Sequence, residues 1–153
     1  MIKQGLSVAI ITYNEQANIR RTLESVKWAG EIIVVDSGST DGTEGIARQF
    51  GGRFYQQQWA GFVGQKNAAL ARAQHDWILS LDADERISEP LAAQIRRVIA
   101  DTTGQSSVGE MAAGDATLGY ELSRLSSFCG QWMRHGDWYP DRVLRLFRRT
   151  SGR

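Results

Sequence analysis

Three short, largely apolar runs rich in β-branched residues mark the first half of the chain: Leu6–Thr12, Glu31–Asp36 and Trp77–Leu81. Runs that are apolar at consecutive positions, and not at every second one, are the pattern of strands covered on both faces. The stretches between them have apolar residues in helical spacing, as at Ile19, Leu23 and Val26. Strands joined through helices run parallel, since a parallel neighbour needs a long crossover while an antiparallel one needs only a tight turn. The expected class is therefore α/β, a mostly parallel sheet flanked by helices.

The remaining elements follow from local signals. Glu15–Trp28 reads as a helix closed by Gly30. Asp41 and Glu44 stand at capping-box spacing and open a helix that runs to about Phe50. Arg53–Gln57 is a weaker strand and Gly61–Ala73 a helix. Ser88 is a suitable N-cap, with Pro90 tolerated in the first turn, for a helix over Glu89–Ala100 carrying Leu91, Ile95, Val98 and Ile99. Asp101–Asp115 is rich in Gly, Ser and Thr and reads as a loop. Gly119–Leu125 and Val143–Phe147 read as strands, joined by an aromatic, glycine-containing segment around Trp132 and Trp138-Tyr139-Pro140. With 153 residues, one domain is expected. A strand-like run so close to Arg153 would ordinarily lead to more structure, so the chain reads as C-terminally truncated.

Composition excludes several classes. A net charge of +1 argues against a nucleic-acid binder. No apolar run approaches the ~18–20 residues of a membrane-spanning helix, and Leu6–Ile11 is too short for a signal-peptide core, so a cytoplasmic location is expected. With Cys129 alone, and only His75 and His135, no Cys/His zinc cluster can be assembled, and a bound metal would need oxygen ligands. From Tyr120 onward seven arginines face three carboxylates, a local charge of about +4 by counting. That basic, tryptophan-containing stretch suits either anionic lipid, as a peripheral contact with an inner membrane, or the phosphates of an acceptor, or else it is an ordinary surface.

In parallel α/β sheets ligands bind beyond the carboxyl ends of the strands. Those ends supply Thr12-Tyr13-Asn14-Glu15, then Asp36, then Asp82-Ala83-Asp84-Glu85. The first turn has no glycine, so backbone cannot approach a pyrophosphate there, and the dinucleotide-binding reading fails. There is no Gly-x-x-x-x-Gly-Lys-Ser/Thr loop either. Asp82 and Asp84 could instead neutralise a diphosphate through Mg²⁺ or Mn²⁺, hard cations that take oxygen ligands. Read by itself, the same acidic turn could equally be a solvated polar turn before a helix.

Four segments taken together resemble glycosyltransferase family 2, with its GT-A, Rossmann-like fold. They are Val8-Ala9-Ile10-Ile11-Thr12-Tyr13-Asn14-Glu15, Val34-Val35-Asp36-Ser37-Gly38-Ser39-Thr40-Asp41-Gly42-Thr43, Gly64-Gln65-Lys66-Asn67 and Leu79-Ser80-Leu81-Asp82-Ala83-Asp84-Glu85. The segment Arg134–Pro140 followed by Arg145-Leu146-Phe147-Arg148-Arg149 resembles the bacterial lipopolysaccharide-core glucosyltransferases of that family. The resemblance implies a nucleotide-sugar-binding α/β region over residues 1–100 and a partial acceptor-side region of the same domain over 101–153. It implies that Thr12, Tyr13 and Glu15 line the nucleotide pocket, with Gly38, Asp41 and Ala83 as nucleotide-binding residues of its loops, and that Asp36 hydrogen-bonds the base. Lys66 would contact the diphosphate or uridine, Asp82 ribose or metal, and Asp84 would be the main metal ligand. Tyr13 could otherwise be a core aromatic, Asp36 a turn cap, and Asp41 is explained equally by capping.

The activity implied is metal-assisted, inverting transfer of a hexose, glucose in the first place, from a UDP-sugar to a lipopolysaccharide-core or related glycan. The alternative is a truncated, catalytically inactive nucleotide-binding fragment. A sugar-phosphate nucleotidyltransferase would need a glycine-rich basic loop after the first strand, and there is none. Inverting displacement needs a general base, and Glu121, Asp137 and Asp141 match no catalytic motif, so no base is assigned. Glu85 reads as a support of the metal turn or a helix-dipole partner.

Overall fold

The computed structural model describes residues 4–102, 119–129, 131–134 and 141–151. Strands β1 (Gln4–Thr12), β2 (Ala29–Asp36), β3 (Arg53–Gln56) and β4 (Trp77–Asp82) alternate with helices α1 (Ile19–Val26), α2 (Thr43–Gln49) and α3 (Gly61–Leu70), and α4 (Glu89–Thr102) follows β4. Then come β5 (Gly119–Arg124), β6 (Ser126–Phe128), β7 (Gln131–Met133) and β8 (Asp141–Arg148). One sheet has the order β3-β2-β1-β4-β8-β5. Its β1 to β4 are parallel, β8 is antiparallel to β4, and β5 is antiparallel to β8. β6 and β7 form a separate hairpin.

The apolar runs are continuous because the sheet is covered on both faces. Leu6, Val8 and Ile10 of β1 join Ile32, Val34, Trp77, Leu79 and Leu81 beneath α1, α2 and α4. Ala9, Ile33, Val35 and Ile78 face the other way, against Ala69 and Ala73 of α3 and its C-terminal turn. β8 contributes to both layers, Leu146 to the first and Phe147 to the second.

Four local expectations are corrected. α1 begins at Ile19, four residues later than the periodicity suggests, because Glu15 to Asn18 form the turn that enters it. Gly30 lies inside β2 and caps nothing; α1 ends on Lys27 in ordinary helical geometry. The Asp41/Glu44 capping box does not form: Asp41 accepts from the Thr43 N–H, while Glu44 pairs with Arg48 one turn on. α3 ends at Leu70, short of Ala73. The Gly/Ser/Thr-rich stretch from residue 103 on, and the segment His135–Pro140, lie outside the described residues. Among the described residues no helix is long and apolar enough to cross a membrane.

Candidate nucleotide-sugar site

Parallel register aligns the strand ends. Thr12 pairs with Asp36 across β1 and β2, Ile11 with Asp82 across β1 and β4, and Asp36 with Gln56 across β2 and β3. The first two loops are then knitted together. Asn14, at φ 48°, donates its N–H to Ser39 Oγ (2.7 Å), and its Oδ1 accepts from the Thr40 N–H (2.8 Å). Asp41 accepts from the Gln16 N–H (3.1 Å), and Gln16 accepts from the Gly42 N–H (2.6 Å). Four donors meet Asp41 and lower its pKa, the Thr43 hydroxyl foremost. Asp36 is fully buried, and both its oxygens are engaged within its own turn: Oδ2 takes the Gly38 and Ser39 N–H groups, Oδ1 the Ser39 hydroxyl. Gly38 sits at φ +106°, where only glycine is comfortable. Asp36, Gly38 and Asp41 are thus placed as the frame of the loop.

The acidic turn after β4 is pinned from three sides. Thr22 of α1 donates to the Ala83 carbonyl (2.8 Å). Glu85 reaches back to accept the Asp82 N–H (2.9 Å), while its own N–H meets the Asp82 carbonyl (3.0 Å). Its other carboxylate oxygen takes Arg145 of β8 at 2.7 Å. Arg145 is buried and also lies 3.6 Å from Asp82. Lys66 of α3 approaches Asp82 Oδ1 to 3.4 Å, an ion pair without the alignment of a hydrogen bond. Asp82 is therefore flanked by two cations, and Asp84 projects into solvent.

Between these loops lies a cavity of about 650 Å³, lined by Thr12, Tyr13, Glu15, Ser37, Asp82, Ala83 and Asp84, with Trp59 and Phe62 at its margin. Among the described residues, two buried side-chain oxygens lack a hydrogen-bond partner, Thr12 Oγ1 and Asp82 Oδ1, and both residues line this cavity. Buried polar atoms are rarely left without a partner. The donor set fits a hard divalent cation. Among the described residues no three acidic, His or Cys side chains are placed to hold a metal ion together, and such a cation commonly takes one or two carboxylates and completes its shell with substrate phosphates and water.

Sequence reasoning missed four residues. Gln65 is fully buried and braces the site by donating to Ser37 Oγ (2.9 Å) and accepting from Gln57 (3.1 Å). Arg145 could have been found as the one charge inside an apolar run. Trp59 and Phe62 are aromatics left about half or more exposed, a state the sequence does not encode. A second cavity of about 680 Å³ lies beyond the same turn. It shares Asp82 and Asp84 and adds Arg86, Arg124, Arg145, Trp132 and the hydroxyls of Ser123, Ser126 and Ser127. The basic tail is largely spent internally: Arg124 pairs with Asp141, Arg145 with Glu85, Arg148 with Asp76, and Arg149 bonds the Ala73 carbonyl.

Known proteins resemble this chain in sequence and in fold. The chain is 33% identical over 99% of its length to the lipopolysaccharide core biosynthesis glycosyltransferase LpsC of Rhizobium meliloti, of which it covers 53%. It is 47% identical over 63% of its length to a glycosyltransferase of Rickettsia felis, of which it covers 35%. It thus spans about a third to a half of these relatives. Among solved structures, TarS of S. aureus superposes over 95% of this chain and 47% of its own, at TM-score 0.59 and 19% identity, a likeness of fold. Glucosyl-3-phosphoglycerate synthase of Mycobacterium tuberculosis, crystallised with Mn²⁺, uridine diphosphate and phosphoglyceric acid, matches 63% of this chain and 39% of its own, at TM-score 0.53 and 26% identity. The profile of Glycosyl transferase family 2 matches residues 7–150, and the chain belongs to that family.

Proposed function

We propose that this chain carries the donor site of a metal-assisted, inverting glycosyltransferase that moves a hexose, glucose in the first place, from a UDP-sugar to a lipopolysaccharide-core or related glycan. The observation that carries the reading is that Thr12 and Asp82, whose buried Oγ1 and Oδ1 lack a hydrogen-bond partner, line one cavity together with the exposed Asp84, while Lys66 stands 3.4 Å from the same Asp82 oxygen. The printed role of LpsC supports the acceptor class, and the Mn²⁺–uridine diphosphate complex of the mycobacterial synthase supports the donor and metal.

Thr12, Tyr13 and Glu15 would wall the nucleotide, with Asp36, Gly38 and Asp41 holding the loop that shapes its floor. Because Lys66 stands 3.4 Å from Asp82 Oδ1 and Arg145 3.6 Å from its Oδ2, the main carboxylate left to hold a cation is Asp84, and Asp82 would share the cation with those two side chains. A bound Mg²⁺ or Mn²⁺ supplies Lewis-acid stabilisation of the charge developing on the departing nucleoside diphosphate. Lys66 adds a fixed positive charge to the same region. Inversion requires the acceptor hydroxyl to attack from the face opposite the leaving group, and the second cavity, formed with the 101–153 region, lies across the turn from the first. Asp141 is tied to Arg124, Glu121 lines neither cavity, and Asp137 lies outside the described residues, so no general base is named.

Calorimetry with uridine diphosphate is expected to show binding with Mn²⁺ that EDTA abolishes and that Asp84→Ala weakens at least about tenfold, roughly 1.4 kcal/mol. Binding that survives EDTA overturns the metal role. Incubation with UDP-glucose and a core oligosaccharide is expected to release uridine diphosphate. Normal binding without release favours a nucleotide-binding chain that does not complete transfer.

A further inference from the structure

The acidic turn after β4 carries three carboxylates, and the fold treats them unequally. Glu85 is bound by Arg145 at 2.7 Å, and Asp82 stands between Lys66, 3.4 Å from its Oδ1, and Arg145, 3.6 Å from its Oδ2. Asp84 is exposed and has no ionic partner among the described residues. A hard divalent cation drawn to this turn would therefore meet one open carboxylate and two positive charges, and like charges at such distances oppose its entry.

Those two charges are held differently. Arg145 is buried and locked by Glu85, so its position is set. Lys66 is 32% exposed and reaches Asp82 at a distance without the alignment of a hydrogen bond. Lysine is a compact charge on a flexible stem. The backbone beneath it does not share that freedom, because the neighbouring Gln65 is fully buried and bonded to Ser37 and Gln57. Lys66 can thus turn its ammonium from one partner to another while α3 stays in place. Asp82 Oδ1, the oxygen it faces, is buried and accepts no hydrogen bond, so the departure of Lys66 opens that oxygen to a cation.

We infer that Lys66 is an exchangeable counter-ion: it neutralises Asp82 until the diphosphate of the donor draws it off, and the released Asp82 oxygen then joins Asp84 in holding the cation. This rests on the donor reading above and adds to it the order in which the parts of the site become available. The turn alone is a poor site for a free cation. Cation and diphosphate raise one another's affinity by the same factor, as any coupling between two ligands must. A lysine that merely touched the diphosphate would leave binding of the cation alone unchanged.

The test measures Mn²⁺ binding without nucleotide, from the loss of the free ion's electron paramagnetic resonance signal, and again with uridine diphosphate, corrected for the complex those two form in solution. The chains are wild type, Lys66→Met, Lys66→Arg, Asp82→Asn and Lys66→Met/Asp82→Asn; both substituted side chains are about one-third exposed. The exchange predicts effects of opposite sign in one variant. Lys66→Met is expected to bind Mn²⁺ alone at least about fivefold more tightly than wild type, and to lose at least about fivefold of the enhancement that uridine diphosphate gives. Lys66→Arg keeps the charge and is expected to bind Mn²⁺ alone as weakly as wild type. In the Asp82→Asn background Lys66→Met is expected to give no gain, since the oxygen it uncovers no longer belongs to a carboxylate. Mn²⁺ alone bound no more tightly by Lys66→Met overturns the exchange, and so does a gain that survives Asp82→Asn. Either result leaves the donor reading standing where wild type still binds uridine diphosphate and Mn²⁺ together. Wild-type binding of both without mutual enhancement also overturns the exchange. A wild-type chain that binds neither removes the donor reading and the exchange with it.

Discussion

Arg145 shows how one side chain can couple two parts of the molecule. A buried guanidinium is costly unless its charge is met, and here it bonds Glu85 at 2.7 Å and lies 3.6 Å from Asp82. Its strand thereby holds the turn that carries Asp84. Arg145→Met is expected to lower stability by about 3 kcal/mol, because Glu85 keeps its charge in a half-buried position and, among the described residues, has Arg124 at 3.7 Å left to pair with. Arg145→Lys would restore part of that, since one ammonium cannot reproduce the planar fork. Thermal melts give the stabilities. Nucleotide affinity with Mn²⁺ reports whether the turn has moved, and an Arg145→Met chain that melts like wild type would remove the idea. At this scale the sequence pointed to the residues that end strands and was silent on how each is used. Carboxylates look alike in a motif, yet Asp36 closes its own turn, Asp41 ties two loops together, and Asp84 stands in solvent. Those differences arise from the partners each finds: two and three positions away for Asp36, and as far as 25 positions for Asp41.

At the scale of elements, the opposite end of the parallel strands is fastened by Glu31. Its Oε1 accepts from Ser7 of β1 and from the Gln74 N–H ahead of β4, both at 2.5 Å, and its Oε2 takes Arg53 of β3 at 2.7 Å. Burial pushes the carboxyl up, but these donors together outweigh it and hold the pKa below the ordinary glutamate range. A pKa lowered on folding stabilises the protein above the unfolded value, and that contribution is lost as pH falls through the folded one. Glu31→Gln is therefore expected to cost about 2 kcal/mol near neutral pH. The gap to wild type should close as the pH drops below the glutamate range, and urea unfolding at pH 7, 5 and 3 would follow it. A gap independent of pH would mean that packing, not charge, carries the effect. β1, β2 and β4 were legible because double-sided burial imposes continuous apolar runs, and α1 and α4 because one-sided burial imposes helical spacing. The β6–β7 hairpin was not: three-residue strands are too short to show a period, and Ser126, Ser127, Gln131 and Trp132 show no buried face.

For the whole molecule, the question is whether residues 1–100 form a unit to which 101–153 is merely attached. β8 returns from distant sequence to pair antiparallel with Trp77, Ile78 and Leu79 of β4, with Leu146 packed into one core layer and Phe147 into the other. Ending the chain after Thr102 would expose β4 as an unpaired apolar edge, a template for aggregation. It would also strip both core layers of a large side chain, worth roughly 1.5–3 kcal/mol each, and remove Arg145 from the acidic turn. Against a total stability of about 5–15 kcal/mol, these losses are large enough to abolish folding. A 1–102 chain is accordingly expected to lack a cooperative thermal transition and to elute as aggregate in size-exclusion chromatography, while the 153-residue chain melts in one step. Should 1–102 instead remain monomeric, melt cooperatively and bind uridine diphosphate with Mn²⁺ as tightly as the full chain, the donor region would be autonomous. β8 would then matter to the site only through the second cavity. The register of β8 favours the first outcome, because the strand that closes the sheet also delivers the cation that holds the acidic turn.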